Sequence, residues 1–343
     1  MITYITVDST ITGVGKYAYY MYNLMKPQSR VIQVIFNKKY MDERYENPVM
    51  GTGSPLLNYF LSGIVYHGII KDVNSIEGIV HITSQTMKPV FNSKHMVVTV
   101  HDIMASQNNI KTDSILEAIK KRYMNQYLKA YMQYENILTV SNTVKSEILE
   151  TFNIDERKVT VIPPYIPDYF YHLENKEKLR EKLGLPGGKI LILSVSSAQP
   201  RKNLGMVKRV IESLGNKYSL VRVGPAVGDS ITFNNVSEAT INEIYNACDL
   251  LYFPALMEGF GYPVVEAFNG SYFERLIIIS EEARRWYFKS SSGFSKSFTL
   301  WALDNLFRYF PVLSLYEINM NVISSNLFTV LVIILFHLND GTP

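Results

Sequence analysis

The residues best suited to chemistry lie in one stretch, Pro254-Ala255-Leu256-Met257-Glu258-Gly259-Phe260-Gly261-Tyr262-Pro263-Val264-Val265-Glu266. Glu258 precedes two glycines that flank Phe260, and Glu266 follows Pro263 by three positions. Proline's fixed φ and missing N–H suit the first helical position. A helix start reached through glycines presents backbone amides to a phosphate or another anion. An ionised carboxylate only accepts hydrogen bonds, so two glutamates beside such a turn suit the hydroxyls of a sugar or ribose better than a bare phosphate. The stretch therefore points to a ligand with phosphate and polyol parts. The plainer alternative is an ordinary strand–loop–helix junction with two surface glutamates.

Two further groups bear on the same chemistry. Arg201 and Lys202 sit in Pro200-Arg201-Lys202-Asn203-Leu204, where a strand gives way to a helix. Cations are disfavoured beside a helix N-terminus by the dipole, and an anionic ligand would remove that conflict; a solvated loop pair is the alternative. His101 and Asp102 follow the apolar run Met96 to Val100. In parallel sheets ligands bind beyond the carboxyl ends of the strands. His81 ends a similar run without other support and reads as structural.

The elements that must position these residues alternate between strand and helix. Ile2 to Val7, Val31 to Phe36, Gly78 to Thr83, Met96 to Asp102, Asn136 to Ser141 and Lys158 to Ile162 are short apolar runs, as expected of strands buried on both faces. Between them the spacing predicts helices over Tyr17 to Met25, Leu56 to Ile70, Ser114 to Tyr134 and from Ser141-Asn142-Thr143 to Leu149. Gly13 and Gly15 read as a glycine turn between the first strand and helix. The pattern restarts with a strand over Lys189 to Ser196, a helix over Gly205 to Leu214, a strand at Leu220 to Gly224 and a helix over Ala239 to Ala247. The expectation is an α/β protein of two doubly wound domains, residues 1–172 and 189–343, joined by a linker at 173–188, with 271–343 atypical.

Composition narrows the function. The 343 residues carry 34 basic and 31 acidic side chains, a net charge of +3, which makes no case for nucleic acid. The single cysteine, Cys248, excludes an intramolecular disulfide and a cysteine-rich zinc site. The chain opens on a strand-like run without a basic leader, so a cytoplasmic location is expected. Lys120-Lys121-Arg122 reads as a solvated face, with peripheral docking at a membrane surface as its other use.

Taken in order, Thr12-Gly13-Val14-Gly15-Lys16, Val98-Thr99-Val100-His101-Asp102, Thr139-Val140-Ser141, Val161-Ile162-Pro163-Pro164, Pro200-Arg201-Lys202-Asn203-Leu204 and Phe253-Pro254 with Glu258-Gly259-Phe260-Gly261 and Glu266 resemble the retaining nucleotide-sugar glycosyltransferases of the group-1 type (family four). The resemblance covers roughly residues 2–270. It implies a GT-B architecture, two Rossmann-like domains facing each other across a cleft, with the donor nucleotide sugar on the C-terminal one. It implies that Arg201 and Lys202 bind the donor diphosphate, that Glu266 holds the ribose, and that Glu258 with Gly259, Phe260 and Gly261 contacts the donor sugar and phosphates. His101 would face the reacting sugar, and Gly13 and Gly15 would close over the diphosphate. A hexosyltransferase-like reaction with retention follows, needing no metal and no cofactor besides the donor, toward a glycan, lipid, small-molecule or protein acceptor. The rival readings are a nucleotide-sugar-binding protein without turnover and another GT-B enzyme, such as a nucleotide-sugar epimerase. After Gly270 the family pattern stops; Leu276 to Ser280 could still serve as a strand, and the apolar run Leu327 to Leu338 is too short to span a bilayer.

Overall fold

The computed structural model describes residues 1–10, 12–35, 45, 48–50, 78–87, 89, 95–104, 115–269 and 276–279. The chain divides into two compact units, Met1–Tyr165 and Ile166–Pro343.

The first unit runs β1 (Ile2–Thr6), α1 (Gly13–Leu24), β2 (Ser29–Ile35), β3 (Pro48–Met50), β4 (Ile79–Ile82), β5 (Met96–Val100), α2 (Ile115–Tyr131), β6 (Asn136–Thr139), α3 (Asn142–Phe152) and β7 (Val159–Val161). Its strands form one parallel sheet in the order β3-β2-β1-β4-β5-β6-β7. Val98, Val100, Ile137 and Val140 are buried, as strands covered on both faces require. Ser141 caps α3 through its side chain, which accepts from Val144 N at 3.3 Å. The helix Leu56 to Ile70 expected from the sequence lies outside the described residues.

One expectation about this unit changes. Gly13 and Gly15 stand in the first turn of α1, not in a loop ahead of it. Thr12 is the cap, and its hydroxyl accepts from Gly15 N at 3.0 Å. Gly15 is required by close approach: a Cβ there would meet Ser9 O at 2.0 Å.

The second unit runs α4 (Lys176–Lys182), β8 (Ile190–Val195), α5 (Leu204–Leu214), β9 (Tyr218–Val223), β10 (Ile231–Phe233), α6 (Glu238–Ala247), β11 (Leu250–Phe253), α7 (Tyr262–Asn269) and β12 (Leu276–Ile279). Its parallel sheet has the order β10-β9-β8-β11-β12. Alternate residues of β8 serve opposite faces. Leu191 and Leu193 pack with α6 and α7 through Ile244, Tyr245, Val264 and Ala267. Ile192 packs with Val207 of α5, whose Val210, Ile211 and Leu214 line the same cluster. That one-face spacing on α5 is what a helix covering a sheet needs. Cys248 is buried and reduced.

The boundary also differs from the expected one. The chain divides between Tyr165 and Ile166, and residues 173–188 are not a linker between bodies but part of the second unit. Phe170, Leu179, Leu183 and Leu185 join its core. Arg180, 5% exposed, pairs with Asp249 at 2.7 Å and donates to Ala247 O at 2.9 Å. Charged residues at 174–182 look like a solvated tether in sequence, yet one of them anchors the segment. β3 and β10 were not expected, being too short for a periodic signal. Leu276 to Ile279 does form a strand, parallel to β11. Residues 280–343 lie outside the described residues. Among the described residues no helix is long and apolar enough to cross a membrane.

Candidate functional site

In the second sheet the strand order reverses between β8 and β11. Such a switch point leaves a crevice outside the carboxyl ends of the two strands. β8 leads through Ser196 to Gln199 and a 3₁₀ turn, Pro200–Lys202, into α5. β11 leads through Pro254 to Gly261 into α7. The two loops, 56 residues apart in sequence at Lys202 and Glu258, are bonded to each other. Leu256 N donates to Arg201 O at 2.8 Å, and Arg201 Nη1 donates to Met257 O at 3.1 Å. Arg201 Nη1 also lies 2.9 Å from Glu258 Oε1, and Lys202 Nζ pairs with the same oxygen. Arg201 Nε donates to Gln199 Oε1 at 2.8 Å, and Lys202 Nζ sits 5.8 Å from the centre of the Phe253 ring.

This cluster is largely withdrawn from water. The Lys202 and Glu258 side chains are 12% and 10% exposed, where charge interactions are less screened than at the surface. Two cations share one carboxylate, so the cluster keeps an excess of positive charge. α5 adds backbone donors beside it: Asn203, in the left-handed conformation, forms no side-chain cap, and the first amides of a helix have no partner within the helix. Gly261 has φ +80 where the second loop enters α7, a conformation that a side chain makes costly by about 1–2 kcal/mol. Pro263 is the second residue of α7, one position from where its fixed φ placed it.

Glu266 is not a surface residue. It is 1% exposed, and its Oε2 accepts from Tyr245 OH of α6 at 2.9 Å. With the Glu258 side chain only 10% exposed, the plainer reading of the stretch, two surface glutamates, is overturned. Phe260 and Tyr262 meet edge to face at 5.4 Å.

In the first unit His101 follows β5 and is 8% exposed. Its Nε2 lies 2.8 Å from Thr83 O; a carbonyl only accepts, so Nε2 carries the proton and Nδ1 of the neutral ring is an acceptor. Gln85 braces the same turn, accepting from His101 N at 3.0 Å and donating to Asp102 O at 3.0 Å. Tyr17 of α1 stands edge-on to the His101 ring at 4.9 Å, and its hydroxyl shares a hydrogen bond with Thr99 at 3.0 Å. Thr99 is also bonded to His81 Nε2 at 2.7 Å. Burial lowers His101 to a pKa of about 4. Burial, and then proximity to His101, lower His81 to about 3. Both rings are neutral at neutral pH, so His101 can accept a hydroxyl's hydrogen bond but cannot act there as an acid. His81 is structural, as expected. Asp8, after β1, is pushed up to about 6 by burial, and its Oδ2 has no hydrogen-bond partner among the described residues.

The structure thus brings Arg201, Lys202 and Glu258 together, and places Gly259, Phe260, Gly261 and Glu266 on the adjoining loop and helix. Gly13, Gly15 and His101 belong to the other unit, where Tyr17 connects α1 to His101. Tyr245, Thr83, Gln85 and Tyr17 carry these arrangements, and nothing in the sequence singles them out. Each looks like an ordinary core or loop residue until its partner, distant in the chain, is known.

Residues 175–270 match the family model described as Glycosyl transferases group 1. The O-antigen chain mannosyltransferase RfbU of Salmonella typhimurium is 27% identical over 192 residues, 51% of this chain and 49% of that protein. The serotype-specific mannosyltransferase WbdA of Escherichia coli is 27% identical over 171 residues, 42% of this chain and 21% of its own length. The chain thus spans half the length or less of these curated relatives. Among solved structures, WaaG, a glycosyltransferase involved in lipopolysaccharide biosynthesis, superposes with a TM-score of 0.66 at 14% identity, covering 99% of this chain and 100% of that one. Anabaena HepE, solved with UDP and glucose, gives 0.63 at 13% identity, covering 83% and 82%. At such identities the likeness speaks for the fold alone. The segment 175–270, which carries the switch-point cluster, thus matches the group 1 glycosyl transferases, and the fold is the GT-B fold of these neighbours.

Proposed function

We propose that this protein transfers a hexose from a nucleoside-diphosphate sugar to a glycan, lipid or small-molecule acceptor, with retention of anomeric configuration and without a metal ion. The carrying observation is the convergence of Arg201 and Lys202 on Glu258 at the switch point of the second sheet, inside the matched segment. Mannose is the proposed sugar, because the curated relatives are named as mannosyltransferases. The HepE complex with UDP and glucose supports a nucleotide sugar as the donor class.

In this reading the donor diphosphate takes Glu258's place against Arg201 and Lys202. The freed Glu258 then accepts hydrogen bonds from the sugar hydroxyls. When the glycosidic bond to the phosphate breaks, negative charge grows on the departing oxygens. The two cations and the first amides of α5 are fixed in place to meet it. Glu266, held by Tyr245, offers its remaining acceptor capacity to the ribose. In the first unit, His101 offers a sugar hydroxyl an acceptor at Nδ1.

The test is release of nucleoside diphosphate from GDP-mannose, UDP-glucose and related donors, with lipid and glycan acceptors, in the presence and absence of EDTA. Lys202→Ala is expected to lower turnover about 100-fold, the usual scale for losing one fixed donor to developing charge. NMR of the product would report the anomeric configuration. Binding of donors without release under any acceptor would overturn the transferase reading in favour of binding without turnover.

A further inference from the structure

Among the described residues the second unit holds two buried arginines, and they are treated differently. Arg180, 5% exposed, is paired with Asp249. Arg222, on β9, is 0% exposed, and among the described residues none of its partners is a carboxylate. Its Nε donates to Pro225 O at 3.1 Å. Its Nη1 reaches Ser194 O and Ser194 Oγ, both at 2.9 Å, and Ser196 Oγ at 3.3 Å, while Nη2 donates to Ser196 O at 2.8 Å. Every acceptor is neutral. Burial lowers this guanidinium to a pKa of about 10, so it stays charged at neutral pH. Arginine is rarely this buried without an opposite charge, since dipoles replace only part of what hydration gave it.

The position of this unmatched charge is informative. Its fork spans the ends of two neighbouring strands: Ser194 and Ser196 at the end of β8, Pro225 beyond β9. Ser196 opens the loop that carries Arg201 and Lys202. The carboxyl end of β8 is one side of the switch-point crevice.

We infer that Arg222 is a positioning residue for an anionic ligand: it clamps the take-off of the Arg201–Lys202 loop, and its charge is balanced when a nucleoside diphosphate sits at the strand ends. The inference rests on the donor-site reading above and adds to it a residue that never touches the ligand. A buried charge acts on its neighbours through a poorly screening medium, so its effect should fall on the diphosphate and spare the nucleoside.

The experiment compares calorimetric affinities of the whole chain for GDP, UDP and their nucleosides in the wild type, Arg222→Gln and Arg222→Lys, with thermal stability recorded alongside. Arg222→Gln should weaken diphosphate binding about tenfold or more and leave nucleoside binding within about twofold. Arg222→Lys keeps the charge while giving up part of the fork; with the charge as what the diphosphate senses, its diphosphate affinity should stay within about threefold of wild type. A tenfold loss in the lysine variant overturns the charge role even where the glutamine variant does not fold. An unchanged ratio of diphosphate to nucleoside affinity in Arg222→Gln overturns it as well, because a purely structural arginine would move both affinities or neither. A wild type that binds neither diphosphate overturns the donor-site reading itself, and this inference with it; a wild type that binds while the ratio fails to move overturns this inference alone.

Discussion

Glu258 is the residue on which the candidate site turns, because one of its oxygens serves both Arg201 and Lys202. Neutralising it separates binding from turnover. Glu258→Gln removes a negative charge beside the diphosphate position, so nucleoside diphosphate should bind several-fold tighter by calorimetry. Turnover should fall about 100-fold, since a strong acceptor for the sugar hydroxyls is lost. Parallel losses of both would mean that Glu258 only holds the loop. The two buried histidines give a second prediction. Their folded pKa values, about 3 for His81 and about 4 for His101, lie below the unfolded value of about 6.5. The unfolded chain therefore binds more protons below pH 6.5, and stability present above that pH is lost as pH falls toward 4. Between pH 7 and pH 5 the pair should remove about 4 kcal/mol. Asp8, raised to about 6, works the other way and returns about 1 kcal/mol over the same interval. Urea titrations at several pH values should show the net decline, and His81→Gln should roughly halve the histidine part of its slope.

At the scale of elements, the site depends on how loops leave their strands. The turn at Pro200–Lys202 ends on left-handed Asn203, and the loop after β11 ends on Gly261 at φ +80; between them they set Lys202 opposite Glu258. α4 is held to the same sheet by charge. Asp249, at the entry to β11, accepts from Arg180, from Lys176 at 2.9 Å and from Leu191 N at 2.7 Å. Asp249→Asn should lower stability in urea by about 3–5 kcal/mol, because it leaves the buried Arg180 without its partner. Arg180→Met with Asp249→Leu should recover much of that loss, since removing both charges strands neither. If the double variant is the sum of its parts, the latch is not a coupled pair.

At the scale of the whole molecule, each unit is a parallel sheet that builds its candidate residues at the carboxyl ends of its strands. Hydrogen exchange with and without GDP should slow most at 196–204 and 256–266, with the sheet strands of the second unit little changed; uniform protection would argue against a site at the switch point. How far this was legible beforehand follows from what each signal depends on. Local rules suffice for the alternation of apolar runs and helices, for a helix start beside Pro263, and for the oddity of two cations at Arg201 and Lys202. They therefore determined an α/β protein of two such units and pointed to a ligand with phosphate and polyol character. Contacts between residues far apart in sequence are not encoded in any local period. Only the tertiary structure decided that Glu258 is the counter-ion of Arg201 and Lys202, that Glu266 lies buried against Tyr245, that burial holds His101 neutral, and that residues 173–188 belong to a core. The same holds for Arg222: within a strand reading Leu220-Val221-Arg222-Val223 it looks like an interruption, and its charge becomes meaningful only when the fold buries it at the strand ends with only neutral acceptors among the described residues.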